Sequence, residues 1–187
     1  MTTEPQAMNR PQQSYRAPTR FFHWAIFILL LIEFPIAWIM PDVRRDTLPN
    51  GLIAWHIFFG TLILAAMLLR VLWRASHKAP PELPMPKWQA VAARLTHGLL
   101  YLGFIVLPLL GWANASSRGW DVKLLGFIPL PALSPKGSSW GHEMGDVHQA
   151  VAIGLLVLVG LHVLATLYHE ILLRDGTMRR ILVSWKR

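Results

Sequence analysis

The chain has 187 residues, 53% hydrophobic and only 15% charged, with a formal net charge of +8 and no cysteine. So few charges exclude an ordinary water-soluble domain, and the missing thiols exclude disulfides, thiolate metal sites, iron–sulfur clusters and covalent c-type haem attachment. The bases cluster at the ends of apolar runs rather than along one soluble face, so they read as topological signals and not as a nucleic-acid surface.

In chain order, residues 1–14 hold Asn9, Gln12, Gln13 and two prolines and are expected to form a flexible polar tail ahead of a membrane domain over 15–187. A helix needs about 20 mostly apolar residues to cross a hydrocarbon core of about 30 Å. Residues 21–40, 52–73, 95–113 and 147–173 meet that length, which predicts an all-α integral membrane four-helix bundle. The first stretch is too long, and too poor in small residues before Pro41, for a cleavable signal peptide. Pro35 and Pro108 fall inside spans, where membrane helices tolerate the kink. The run APPELPMP at 79–86 is incompatible with helix and predicts a stiff connector. Residues 114–146 form the longest connection, and its apolar piece LLGFIPL is too short to span, so it is expected to cap the bundle at the interface. Thirteen Lys and Arg fall on the side of the two termini and the second connection, against five on the other: Arg44, Arg45, Arg118, Lys123 and Lys136. The positive-inside tendency then predicts both termini in the cytoplasm.

Five of the eight histidines lie in or beside spans: His23, His56, His97, His148 and His162. His148 and His162 bound the apolar run HQAVAIGLLVLVGLH. Fourteen residues bring them within about 40° of one helix face and separate them by roughly 21 Å, too far to share one ion. They suit two stacked centres. A haem iron takes axial imidazoles from opposite faces, so each histidine needs a partner at its own depth. His56 matches His148 near the outer surface; His23, His97 and His169 all remain candidates to face His162. Gly60, four residues after His56, is a place for a flat macrocycle to approach the backbone, and Arg70 at the inner end of the same helix is a candidate for haem propionates. An iron with two histidines carries electrons and offers no open position. Glu33 is an intramembrane carboxyl, a candidate for a proton route or for a hydrogen bond to a neighbouring helix. The tryptophans fall mostly near span ends, as an aromatic belt requires. The competing class is a haem-free transporter or anchor whose histidines cross-link helices.

Several pieces, taken in order, resemble the bacterial cytochrome b561 family, dihaem four-helix membrane proteins related to the cytochrome b subunits of hydrogenases and formate dehydrogenases. They are FHW at 22–24, H-x-x-x-G from His56 to Gly60, RVLWR at 70–74, ARLTHGLLYLGFIVLPLLG at 93–111, the His148–His162 pair, GLH-x6-H at 160–169, and RDGTMRRI after it. The resemblance implies two non-covalent b haems with His23, His56, His148 and His162 as axial ligands. It leaves His97 and His169 in supporting or quinone-site roles beside the inner haem. It further implies a quinone-linked oxidoreductase of the bacterial inner membrane. Such a protein passes electrons between an outer donor, superoxide in one described activity, and ubiquinone, or serves as the membrane subunit of a larger dehydrogenase with a soluble redox partner. Five outward acids offset the five outward bases, so steering of an anion would need local segregation of charge.

Overall fold

The computed structural model describes residues 13–44 and 46–182, so nearly all of the expected polar tail lies outside the described residues. Four helices follow one another: α1 (Ala17–Ile39), α2 (Gly51–Ser76), α3 (Lys87–Ser117) and α4 (Ser139–Tyr168). All four are long and apolar enough to cross a membrane, and they form a four-helix membrane bundle. Each helix begins before the apolar stretch that announces it, because its first turns carry polar residues, whereas α4 ends at Tyr168, inside the expected span to residue 173. α1 starts with Pro18 in its first turn, where a missing N–H costs nothing. α4 starts at Ser138, whose hydroxyl accepts from the Gly141 amide. Beyond Tyr168 the chain widens into a π-turn over His169–Leu173, and Arg174 ends it with φ of 51°.

Side chains that pack the interior come from all four helices: Ile26, Leu30, Ile63, Met67, Leu100, Phe104 and Leu155. Elsewhere the helices expose large apolar residues such as Leu31, Leu72, Leu102 and Leu161, as a lipid-facing surface requires. α1 packs closely on α2, and α3 on α4, with α2 against α3. α4 stands off from α1 and α2. That separation leaves room between the two helix pairs for a flat group.

The ends of the bundle differ in construction. At the termini end, the amide of Tyr15 donates to the carbonyl of Arg180 at 3.0 Å, and the indole of Trp24 donates to Ile181 at 2.9 Å. The buried guanidinium of Arg180 donates to the carbonyls of Gln13 and Pro81 and lies over the ring of Tyr15. It clasps the segment before α1, the turn after α4 and the proline connector together. At the opposite, loop end the expected cap contains a short antiparallel hairpin, β1 (Lys123–Leu124) with β2 (Ile128–Pro129), turned by Leu125 and Gly126 at positive φ. The hydroxyl of Ser134 donates to Ala113 at 2.7 Å and that of Ser116 accepts from the Leu133 amide, fixing this loop to the end of α3.

Candidate functional site

Two histidine pairs face each other across the gap that α4 leaves. At the loop end the rings of His56 on α2 and His148 on α4 have centroids 5.9 Å apart, and at the termini end His23 on α1 and His162 stand 6.3 Å apart. Two imidazoles on opposite faces of one iron, with metal–nitrogen bonds of about 2.0 Å and ring centres about 1.15 Å beyond, have centroids about 6.3 Å apart. Both pairs are near that spacing. Leu155, a heptad from each α4 histidine, fills the same face between them and packs into the notch of Gly103 on α3.

The Nδ1 atoms of the loop-end pair lie against α3 and α1. Nδ1 of His148 lies 2.8 Å from the carbonyl of Leu107, the residue before Pro108 inside α3. A ring that donates Nδ1–H to a carbonyl presents Nε2 to a metal. Gly111 makes this possible: a Cβ there would stand 3.0 Å from Nδ1 and Cε1 of His148. Nδ1 of His56 approaches Oε1 of Glu33, on α1, to 2.8 Å, a contact of hydrogen-bond length without full hydrogen-bond alignment. Glu33 is buried although it lies mid-span.

At the termini end a largely apolar cavity of about 210 Å³ is lined by all four helices, with His23, His97, His162, Arg70 and Tyr101 among its polar groups. Arg70 donates from Nε to the hydroxyl of Tyr101 at 2.9 Å, and its Nη2 lies 3.3 Å from Nδ1 of His23. A guanidinium at the wall of an apolar slot suits a carboxylate-bearing planar group.

The rivals for the termini-end pair are placed differently. The centroid of His97 lies only 5.2 Å from that of His162, more than 1 Å inside the separation needed across an iron. It borders the cavity as a neighbour of the pair. His169 sits in the π-turn, where its Nδ1 pairs with Asp175, and it does not line the cavity. Partial burial alone would raise the Asp175 carboxyl, but hydrogen bonds from His169 and Thr177 hold it below the usual range. Gly60 faces the carboxylate of Glu33: a Cβ there would meet Oε1 at 3.6 Å.

The geometry adds Leu107, Gly111 and Tyr101, which the sequence reading passed over. Tyr101, four residues after His97, carried a helical-spacing signal. Gly111 carried none beyond being small. Among the described residues no cluster of three or more His, Asp and Glu side chains could hold a bare metal ion, whereas two imidazole pairs at two depths, one of them lining a largely apolar cavity, suit b-type haem.

Comparison with known proteins agrees with this chemistry. The sequence matches the family described as prokaryotic cytochrome b561 over residues 14–183. It is 30% identical over 165 residues to the probable superoxide oxidase CybB of Yersinia pestis, covering 86% of this chain and 90% of that protein. Cytochrome b561 homolog 2 of Escherichia coli (strain K12) is 26% identical over 178 residues, 93% of each chain. Cytochrome b561 homolog 1 of the same strain is 27% identical over 175 residues, 87% of this chain and 93% of its own.

Proposed function

The chain belongs to the prokaryotic cytochrome b561 family, as a multi-pass haem protein of the bacterial inner membrane, and on that premise we propose that it carries electrons through two b haems from a donor outside to the ubiquinone pool. His56 and His148 hold the haem at the loop end, and His23 and His162 hold the other. The termini lie in the cytoplasm, so the loop-end haem is the outer one. The observation that carries this reading is the pair of histidine facings, 5.9 and 6.3 Å between ring centroids, at two depths of one helix. Haem bound by two imidazoles supplies one-electron transfer without an open coordination position.

The protein's own groups do the rest. Leu107 fixes the tautomer of His148 through its carbonyl. Arg70, steadied by Tyr101, offers a cation to haem propionates at the inner site. Apolar side chains of all four helices make up most of the wall of that site. At the loop end Arg118 donates to the carbonyl of Arg44 and lies over Trp120, which holds a cation at the surface where a small anion would arrive. The name of the Yersinia relative supports superoxide as the donor. Two superoxide anions then give two dioxygen molecules and two electrons, and ubiquinone takes those electrons with two protons to become ubiquinol.

Stopped-flow mixing of the purified holoprotein with superoxide, compared with ubiquinol, tests the assignment. Haem reduction by superoxide at a rate that saturates a following quinone reduction is expected. Reduction by ubiquinol with inertness to superoxide would overturn the donor assignment, and purified protein without haem would overturn the whole reading.

A further inference from the structure

We propose that Glu33 is a positioning residue for the loop-end haem: its carboxylate, accepting from Nδ1 of His56, makes that centre the lower-potential one and directs electrons from the loop end to the termini end. This rests on the ligand assignment proposed above.

Glu33 is 8% exposed in a span whose neighbours are Ile32 and Phe34. A carboxylate there loses hydration, a cost of several kcal/mol unless a partner compensates. Among the described residues no lysine or arginine pairs with it, its Oε2 has no partner, and its Oε1 lies 2.8 Å from His56. The group placed to compensate it is the imidazole, at hydrogen-bond length though not in full alignment. Gly60 keeps the slot open: a Cβ would already touch Oε1 at 3.6 Å, and any larger side chain would occupy the carboxylate's place.

The roles at Nδ1 follow from chemistry. With Nε2 on iron, Nδ1 carries a hydrogen, so Glu33 accepts and the ring becomes a stronger electron donor. The negative charge also favours the oxidised centre, which is one unit more positive than the reduced one. The other axial ring at this end, His148, is backed only by the neutral carbonyl of Leu107. At the termini end the nearest charge has the opposite sign, since Nη2 of Arg70 lies 3.3 Å from His23. A cation disfavours the oxidised centre. The two charges therefore separate the potentials in the sense that makes transfer from loop end to termini end downhill, from a one-electron donor outside to quinone.

The test is an optical redox titration of purified wild-type, His148→Ala and Glu33→Gln holoproteins, with haem counted by the pyridine haemochrome. The wild type should titrate as two components, and the one missing from His148→Ala should be the lower. Glu33→Gln should keep two haems and raise that component alone by at least tenfold in its reduction equilibrium constant, about 59 mV for one electron. An unshifted lower component in Glu33→Gln, or a shift of the other component, would overturn the proposal. Should Glu33→Gln lose the loop-end haem, the wild-type order decides: the His148-dependent component lower upholds the proposal, and higher refutes it. Retention of two haems by His148→Ala would instead refute the ligand assignment.

Discussion

Replacing Gly111 by alanine adds one methyl group to α3 where α3 faces the ring of His148. The new Cβ would stand 3.0 Å from both Nδ1 and Cε1, while carbon atoms in good contact sit about 3.5–4.0 Å apart. The ring must retreat by roughly half an ångström, and the 2.8 Å contact of Nδ1 with Leu107 is lost or bent. Overpacking of this kind costs about 1–3 kcal/mol, which at about 1.4 kcal/mol per tenfold corresponds to roughly 5- to 150-fold in an equilibrium constant. Alanine also improves the helix by up to about 1 kcal/mol, so a folding measurement alone would hide the effect. Transfer of haem to apomyoglobin separates them. One of two release phases should quicken by about tenfold in Gly111→Ala, the phase that His148→Ala removes. Gly154→Ala is the control: a Cβ there meets nothing within 4 Å, and its position is turned away from the histidine face of α4. Wild-type release from Gly111→Ala would refute the packing argument for His148.

His97→Ala and His169→Ala should each retain two haems by the pyridine haemochrome, because 5.2 Å from His162 is too close for the opposite axial place and His169 is occupied by Asp175; loss of a haem from either would reopen the ligand assignment. Arg180→Ala removes hydrogen bonds of 3.0 and 2.8 Å from a buried cation and should cost about 2–4 kcal/mol, read as a lowered temperature for loss of the Soret band. Arg180→Lys should recover only part of this, since a single ammonium does not span the two carbonyls as the planar fork does; an unchanged transition in Arg180→Ala would contradict the clasp.

The bundle was legible because a bilayer demands long apolar runs, and such runs cannot be mistaken over 20 residues. Helical periodicity placed His148 and His162 on one face, and depth alone paired His56 with His148, whose ring centroids the structure sets 5.9 Å apart. The inner partner was not legible from depth, since His23, His97 and His169 all enter from one end. The ring of His162 stands 6.3 Å from that of His23 and 5.2 Å from that of His97, and distances between helices are tertiary facts that no single-helix pattern contains. Glu33 stood out as a mid-span carboxyl, but its contact with His56 joins α1 to α2 and has no signature in either segment. Gly111 was invisible for the same reason. The hairpin in the loop-end cap depends on positive φ at Leu125, which an apolar residue does not advertise.

On the proposed assignment two haems sit at two depths of α4, one on His148 and one on His162. The most direct measurement is the ratio of b haem to polypeptide in the purified wild type, His148→Ala and His162→Ala proteins. Ratios of two, one and one, with low-spin spectra throughout, are predicted. A wild-type ratio of one or zero, or a ratio still at two in either variant, would contradict it.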